Sequence, residues 1–332
     1  MLYALLNKHP QVALMFEADL MCLRPMFLQP SNSLYWPERW NLRNDALRRH
    51  GLTPEDVRHA SPNFVSAFTA THQLFAMRRG ASIWGDKSPF YFDRLNQMAD
   101  DFPDARFIIL WRDPEDTANA VLRAAAAGSA HVSRRGAILR ELLGYEVLKK
   151  ECDRLFSRGL PVCQINYEDL VSETRLVMQK VCEFLEIPYC ESVSHLEGAD
   201  RSAIYVGKFH SLIRRNEIVP GRRPRLTNAA QHQRIGGYIE FWHRVYGENW
   251  PSRDSAAADH VRPPHLLRRI IDRTSYRALR GWDQITRIGF ALAPITLLNW
   301  HRRRHQLPVQ QVNSTAHASH SPQKTELTSA AR

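Results

Sequence analysis

The stretch ARFIILWRDPEDTANAVL, residues 105–122, decides the fold. Its first half is a continuous apolar run of branched and aromatic side chains, which is typical of a strand buried on both faces of a parallel sheet. Asp113 and Pro114 then supply the cap and the first-turn residue of a helix, and two acidic residues follow where the helix dipole is positive. A buried strand that leads directly into a helix predicts an α/β domain.

Three further apolar runs extend this pattern along the chain. VALMF (12–16), ASIWG (81–85) and LPVCQINY (160–167) have the composition of buried strands, and helical patterns lie between or after them. Apolar strands that alternate with helices are typical of a parallel sheet covered on both faces. We therefore predict an α/β fold of this kind.

Charge and composition divide the 332 residues into three parts. Residues 252–332 hold 13 Lys and Arg against 5 Asp and Glu, so most of the net charge of +11 lies there. We predict an α/β domain over 1–251, a basic amphipathic segment over 252–304 and a disordered tail over 305–332. Within the domain, residues 20–60 are interrupted by four prolines and are interpreted as a lid-like insertion with short helices.

The cysteines, the histidines and the first residues argue against several classes of protein. Five cysteines without a CxxC pair indicate reduced, packed thiols, and fifteen histidines without paired ligand spacing predict no metal site. The opening MLYALLNKHP carries no cleavage-site pattern, so we predict a cytoplasmic protein without a secretory signal. The loss of an earlier targeting segment stays open as an alternative.

Three charged residues directly follow predicted strands: Arg112, Lys87 and Glu17. In an α/β sheet, ligands bind at the carboxyl ends of the strands, and Arg112 also precedes a helix N-terminus, which suits a phosphate. From position alone, each residue has an ordinary alternative. Arg112 and Lys87 are also explained as solvated cations, and Glu17 as a cap or a surface charge.

Read together, the motifs resemble a known family. LLNKHPQVALMFE (5–17), WGDKSP (84–89), FPDARFIILWRDPEDTANAVL (102–122) and INYEDLV (165–171) with CEFLEIPY (182–189) occur in the order and spacing of the sulfotransferases that use 3′-phosphoadenosine-5′-phosphosulfate (PAPS). They are most similar to the branch that contains tyrosylprotein sulfotransferases and many bacterial enzymes. Each motif is weak alone, but their order in the right strand and helix context is a strong signal.

The resemblance implies a fold like that of the P-loop kinases and a role for each strand-end residue. Arg112 would grip the 3′-phosphate of PAPS, Lys87 would contact the sulfuryl group and the bridging oxygen, and Glu17 would be the general base. The implied reaction transfers the sulfuryl group to a hydroxyl of a sugar, lipid or protein and leaves 3′,5′-adenosine bisphosphate (PAP). It requires a cation at the leaving oxygen and a carboxylate at the acceptor, and neither a metal nor nucleic acid.

The sequence departs from the family's pattern in two places. Relatives carry a serine where this chain has Ala120, eight residues after Arg112, and Thr117 and Asn119 are the nearby candidates to replace it at the 3′-phosphate. Relatives also have a Gly/Ser/Thr-rich loop before their first helix, whereas this chain begins inside that helix. We therefore expect the first strand and the 5′-phosphosulfate loop to be missing, as in a truncated record of a longer enzyme; a true relic is the alternative.

An Arg-rich loop after residue 200 holds further candidates. Arg222 and Arg223, with Lys208 and Arg225, lie where relatives use basic residues to neutralise the nucleotide phosphates. A plain solvated basic loop is at least as good an explanation.

The segment 265–304 interleaves basic and apolar residues and ends on three consecutive arginines. Its apolar run is interrupted by Pro294 and is too short to span a bilayer. Peripheral contact with an anionic membrane and packing of an amphipathic helix on the body of the protein are both open.

Two other functions are kept beside sulfate transfer. A P-loop kinase would share the phosphate-binding fold, but no GxxxxGK[ST] sequence is present. A degenerate, non-catalytic relative that binds polyanions or membranes is favoured by Ala120 and by the expected lack of the phosphate loop.

Overall fold

Strands alternate with helices through most of the described chain. The computed structural model describes residues 1–28, 36–58, 63–126, 137–204, 218, 229–247, 263–294 and 296–298. The strands are β1 (Val12–Phe16), β2 (Ile83–Lys87), β3 (Phe107–Trp111) and β4 (Val162–Asn166). The helices are α1 (Leu2–Leu6), α2 (Trp36–Asn44), α3 (Ala46–Arg49), α4 (Pro54–Arg58), α5 (Phe64–Arg78), α6 (Leu95–Asp101), α7 (Pro114–Ala126), α8 (Ala137–Ser157), α9 (Tyr167–Ser172), α10 (Thr174–Leu185), α11 (Ala229–Tyr246) and α12 (Leu266–Leu292). Short 3-10 helices lie at Leu20–Leu28, Pro89–Tyr91 and Glu191–Ser194.

The strands form two parallel pairs. β1 pairs with β2 in a register that ends with Phe16 opposite Lys87. β3 pairs with β4 in a register that ends with Trp111 opposite Asn166. Helices connect the two strands of each pair, as a parallel arrangement requires. The predicted α/β fold with parallel strands is confirmed.

The stretch 105–122 folds as its chemistry predicts. Alternate residues of β3 are buried, and the strand hands over to α7 at Asp113. Asp113 Oδ1 accepts hydrogen bonds from the backbone N–H groups of Glu115 at 2.9 Å and Asp116 at 3.0 Å. These bonds satisfy two amide groups that the first turn of a helix leaves without partners, so Asp113 is the predicted cap.

Aromatic and aliphatic side chains from the region 20–60 form much of the core beside β1. Trp36 and Trp40 of α2 are fully buried, and the 3-10 helix Leu20–Leu28 adds four further buried apolar side chains besides Cys22. Burial of such large apolar side chains is the main stabilising contribution to a fold of this size. The role of this region as a lid stays a prediction.

The basic segment predicted after residue 252 contains the longest described helix, α12. One side of α12 packs on the body of the protein, where Tyr276 is buried and Asp272 accepts hydrogen bonds from Tyr238 Oη at 3.0 Å and an Arg234 Nη at 2.8 Å. Within the described ranges, no helix combines the length and the apolar composition needed to cross a bilayer.

The chain groups into two compact units by its internal contacts. Met1–Ala293 forms the first, which contains every strand and helix named above, and Pro294–Arg332 forms the second. The predicted domain boundary at residue 251 and the predicted tail over 305–332 lie outside the described residues.

Candidate functional site

The residues at the carboxyl ends of β1 and β2 meet. Because Phe16 is opposite Lys87, the chain leaves both strands at the same level, and the Glu17 backbone N–H donates to the Lys87 carbonyl at 2.7 Å. Lys87 Nζ donates to Glu17 Oε1 at 2.5 Å and lies 4.6 Å from the centre of the Phe16 ring. Two residues predicted from separate strands thus form one charged pair.

Glu17 has a backbone conformation that is uncommon for a residue with a side chain. Its φ of 46° lies in the left-handed region, where a Cβ is disfavoured. Arg49 of α3 holds this strained turn: its guanidinium donates to the carbonyls of Phe16 at 3.3 Å, Glu17 at 3.2 Å and Ala203 at 2.7 Å. Such strain persists only where neighbours fix it, so Arg49 is a positioning residue for Glu17.

His50, the next residue along the chain, fixes the other side of the β1 end. Its Nε2 accepts a hydrogen bond from the Phe16 backbone N–H at 2.8 Å, and its Nδ1 donates to the Ala46 carbonyl at 2.6 Å. These two bonds require the neutral ring with its proton on Nδ1. Burial lowers the pKa of His50 to about 4, which keeps the ring neutral at physiological pH.

Neither Arg49 nor His50 was singled out from the sequence. They lie 32 to 34 residues from the backbone groups that they contact near Glu17. Nothing in the local pattern of α3 indicates this partner, since a sequence motif reports neighbours along the chain and this contact is made by the tertiary fold.

The turn that carries Lys87 is held by side chains on both sides of it. Ser88 Oγ donates to Asp19 Oδ1 at 2.5 Å, which ties the turn after β2 to the turn after β1. Tyr91 Oη donates to Asp86 Oδ2 at 2.7 Å, and burial raises the pKa of Tyr91. The ammonium group of Lys87 is therefore presented from a fixed backbone.

Arg112 follows β3, as predicted, and its guanidinium lies against an aromatic ring. The guanidinium carbon is 4.9 Å from the centre of the Tyr167 ring, and the Arg112 carbonyl accepts a hydrogen bond from Tyr145 Oη at 2.9 Å. Arg112 Nε is buried and has no hydrogen-bond partner within the described part of the chain. A buried donor without a partner is costly, and an anion would satisfy it.

Thr117 and Asn119, the candidates to replace the family's serine, are already hydrogen-bonded or buried. Thr117 Oγ1 is 3.0 Å from the Asp113 carbonyl, to which it donates, and 2.8 Å from Tyr145 Oη. A hydroxyl has one proton, so this bond leaves Thr117 only acceptor capacity toward other groups. Asn119 is 6% exposed, whereas Ala120 is half-buried.

The remaining predicted phosphate ligands, Arg222 and Arg223, lie outside the described residues, as do Lys208 and Arg225. Their roles therefore stay predictions.

One large cavity connects these groups. Its volume is about 2260 Å³, and its wall includes all five residues of β2 and all five of β3. Glu17, Thr117 and Tyr167 also line it, so the Lys87–Glu17 pair and the ring that stacks on Arg112 face the same space. We call it the strand cavity, because β2 and β3 line it along their whole length; residues of α12 line it as well.

A second cation, Arg201, lines the strand cavity near Lys87. The amino group of Met1 reports the field there: burial, Lys87 and Arg201 together lower its pKa to about 6. Arg201 was not among the predicted residues, because it follows no strand and belongs to none of the motifs. Both side-chain cations therefore lie close enough to affect the amino end of α1, where Lys87 is at present paired with Glu17.

In the ranges that the structure describes, no three His, Cys, Asp or Glu side chains come together in a group that could hold a metal ion.

Comparison of the sequence with known families and curated proteins gives consistent matches. The sequence model of the family described as "Sulfotransferase family" matches residues 1–191. Protein-tyrosine sulfotransferase A of Caenorhabditis elegans is 23% identical over 197 residues, which cover 58% of this chain and 48% of that protein. Protein-tyrosine sulfotransferase of Drosophila melanogaster is 26% identical over 197 residues, 58% of this chain and 37% of that protein. Protein-tyrosine sulfotransferase 1 of Danio rerio is 26% identical over 196 residues, 58% of this chain and 51% of that protein.

The matched part is about half the length of these relatives or less. Among solved structures, the sulfotransferase domain from the curacin biosynthetic pathway superposes with a TM-score of 0.41 at 16% identity, over 69% of this chain and 96% of that domain. The sulfotransferase domain of the Synechococcus PCC 7002 olefin synthase gives a TM-score of 0.40 at 17% identity, over 69% and 93%.

Proposed function

The chain belongs to the sulfotransferase family, and we propose that it transfers a sulfuryl group from PAPS to an acceptor hydroxyl. The observation that carries the proposal is the Lys87–Glu17 pair, in which a cation and a carboxylate meet at the ends of adjacent strands and line one cavity. Of the sugar, lipid and protein acceptors that the sequence leaves open, we favour the hydroxyl of a protein tyrosine. Three relatives named for that activity support this choice.

The two members of the pair have opposite tasks in such a reaction. Glu17 is an acceptor for the proton that the acceptor hydroxyl must lose, and Lys87 is a donor for the oxygen on which negative charge builds. In the absence of substrate, each side chain neutralises the other at 2.5 Å. When the hydroxyl and the leaving oxygen occupy the space between them, each charge exchanges its present partner for a reacting atom, so that neither is left buried and unpaired.

The residues present fit the charge of PAPS, which supplies the sulfuryl group when it is bound. Arg112 has a buried Nε without a hydrogen-bond partner in the described ranges, and this donor is what a 3′-phosphate would satisfy. Lys87 and Arg201 lie near the other predicted position, beside the amino end of α1. We assign the 3′-phosphate to Arg112 rather than to Thr117 or Asn119, whose groups are engaged or buried.

The strand cavity supports the expectation that a further strand and a phosphate loop complete this fold. All five residues of β2 and all five of β3 line the cavity, whereas no residue of β4 does, so the edges of β2 and β3 that pair with no described strand face the same space. All five residues of β2 are only half-buried, although strands in the middle of a parallel sheet are normally covered. We propose that one parallel strand occupies the cavity and joins the two pairs into a single sheet like that of the P-loop kinases.

The same strand would end beside the amino end of α1, close to Lys87 and Arg201. A loop between that strand and α1 would place backbone N–H groups around the 5′-phosphosulfate. Donor binding at full strength therefore depends, in this proposal, on a polypeptide segment in the strand cavity.

A non-catalytic role is the second candidate. It is favoured by Ala120 in place of a hydroxyl at the predicted 3′-phosphate position and by the engagement of the nearby Thr117 hydroxyl. A protein of this kind would keep the fold and lose tight binding of the donor.

Sulfate transfer is tested with PAPS labelled in its sulfuryl group and a peptide that contains one tyrosine. Label should pass to this peptide and not to the same peptide with phenylalanine, and Lys87→Ala should slow the transfer by about 100-fold or more. PAP binding, measured by calorimetry, needs no acceptor and separates the two candidates. Both measurements are repeated on a protein that includes the segment proposed to fill the strand cavity. If this protein neither binds PAP nor transfers label, the non-catalytic role is the correct one.

A further inference from the structure

Helix α12 presents a long exposed face without a charged side chain. Large apolar residues on it are between 40% and 63% exposed: Leu267, Ile270, Ile285, Ile288 and Leu292. Their spacing places them on one side of the helix, because successive residues are turned by about 100°. Residues at the same turn angles between them, such as Thr274 and Ala278, are uncharged and exposed as well. Ile271 and Trp282, at one edge of this face, line the strand cavity.

The opposite side of α12 anchors the helix to the body of the protein. Asp272 is 2% exposed and is bonded to Tyr238 and Arg234, and an Arg280 Nη forms an ion pair with Asp93. The exposed face is therefore a fixed surface on a packed helix. It belongs to a helix whose other side is held in place by tertiary contacts.

The charges of α12 that reach the surface are cationic. Neither carboxylate of the helix is exposed. Arg273, 43% exposed, and Arg277 lie along one edge of the apolar face. Arg273 shares the carboxylate of Glu146 with Lys150, so two positive charges meet a single negative one there. The surface that α12 shows to its surroundings is thus an apolar strip with cations along one edge.

We propose that this face of α12 binds the surface of an anionic lipid bilayer. The apolar strip would enter the boundary between head groups and acyl chains, and Arg273 and Arg277 at its edge would contact lipid phosphates. The helix has 27 residues, so the strip is about 40 Å long. A helix of this length can lie along a flat membrane surface.

Charge complementarity favours lipid over another protein as the occupant. A protein partner that covered the same strip would need an equally long apolar surface with acidic residues along its edge. Anionic head groups supply such edges everywhere on a bilayer. The excess of cations over carboxylates in residues 252–332 acts in the same direction.

The test uses the full chain and vesicles of phosphatidylcholine with or without phosphatidylserine, with bound protein measured by co-sedimentation. Ile270→Glu and Ile285→Glu place a carboxylate in the strip, and neither residue lines the strand cavity. Thr286→Glu changes an exposed position that lies away from the strip and from Arg273 and Arg277, and it adds the same charge as a matched control. We expect the unaltered chain to prefer anionic vesicles by at least about tenfold, with binding that weakens as salt rises, and each strip variant to lose about tenfold or more. Thr286→Glu should change binding by less than about threefold.

Thermal unfolding of all four proteins shows whether a variant has lost its fold, since an exposed residue should leave the melting temperature unchanged. Equal binding to neutral and anionic vesicles would overturn the proposal. So would strip variants that bind as well as the unaltered chain, because the rest of the basic segment would then account for binding. A chain that ignores vesicles but forms dimers in sedimentation experiments, which Ile285→Glu dissociates, would assign the face to a second copy.

Discussion

Lys87 ends β2 and Glu17 directly follows β1, 70 residues away in the chain, and their side chains meet at 2.5 Å between Lys87 Nζ and Glu17 Oε1. The parallel register of β1 and β2 makes this contact, because it ends both strands at the same level. The Lys87 side chain is 40% exposed and that of Glu17 is 12% exposed, so a ligand in the strand cavity reaches the pair from the side of the lysine.

Lys87→Ala should lower the rate of sulfate transfer far more than it weakens PAP binding. The proposed partner of Lys87 gains charge chiefly in the transition state, and removal of one such donor costs about 100- to 1000-fold in rate. Single-turnover kinetics and calorimetric titration of PAP measure the two effects. Lys180→Ala, a change at an exposed lysine away from the pair, is the matched control. An unchanged rate in Lys87→Ala would remove Lys87 from the catalytic site.

Glu17→Gln should preserve the fold and PAP binding and remove the acidic limb of the rate profile. The amide keeps the shape and can still accept a hydrogen bond from Lys87, but it cannot take a proton from the acceptor. The measurement is the transfer rate from pH 5 to pH 9 for both proteins. If the variant shows the same acidic limb and the same rates, another group is the base.

Arg49→Ala should impair catalysis through Glu17 without touching substrate. The change removes three hydrogen bonds to the carbonyls of Phe16, Glu17 and Ala203, so the strained φ of Glu17 relaxes and its carboxylate moves. We expect kcat to fall by about tenfold or more and PAP affinity to hold. The neighbouring Arg48→Ala is the control, since Arg48 is exposed and its ion pair is with Asp45.

A change in kcat alone does not separate positioning from loss of stability. Unfolding in urea is therefore measured beside the kinetics, together with the Glu17-dependent acidic limb. A variant that is only less stable would keep that limb at low temperature, and this result would contradict the assignment of Arg49.

His50 should make the fold sensitive to acid. Burial lowers the pKa of His50 from its ordinary 6.5 to about 4, so between these values the unfolded chain binds a proton that the folded chain excludes. The contribution of His50 to the free energy of unfolding is thus fully present above pH 6.5. It is lost as the pH falls toward 4, at about 1.4 kcal/mol per pH unit.

His50→Gln separates this contribution from that of other titrating groups. Urea unfolding of both proteins at pH 7.5, 6 and 5 should show the unaltered chain losing stability faster than the variant on acidification. Parallel profiles would mean that His50 does not titrate in this way. In the folded protein the ring takes up its proton only near pH 4 and then loses the acceptor that holds the Phe16 N–H, so any loss of transfer rate through this contact should begin near pH 4 and not at pH 6.5.

Arg112→Ala should act on the nucleotide and leave the chemical step alone. Its buried Nε has no protein partner within the described residues, so the proposed phosphate supplies the bond that the variant lacks. Loss of a charge-assisted pair predicts PAP affinity weaker by about tenfold to 100-fold, measured by calorimetry. Arg112→Lys should recover part of the PAP affinity, because lysine keeps the positive charge but lacks the planar set of donors that a guanidinium offers. Unchanged affinity in Arg112→Ala would place the phosphate elsewhere.

The amino-acid sequence by itself determined the parallel α/β class, the family and the positions of three charged residues at strand ends. Each of these features depends on a few consecutive residues. Examples are the apolar run 105–111, the cap at Asp113 and the short motifs around Glu17 and Lys87. The limits of the strands depend on more than the sequence pattern: β2 runs over Ile83–Lys87, whereas the apolar run predicted a strand over 81–85. Hydrogen bonding to β1 decides that limit, which the apolar run alone does not show.

Only the tertiary structure decided what surrounds the candidate site. Arg49, His50 and Arg201 come from segments with no motif, and they act through backbone groups or charges brought near by folding. The same holds for α12, whose sequence permits either packing or surface exposure. In the structure one side packs and the other is exposed, because Tyr238 and Arg234 donate hydrogen bonds to the buried Asp272 and fix the rotation of the helix. Which side of an amphipathic helix is covered depends on the partners that the fold supplies, and no periodicity within the helix contains that information.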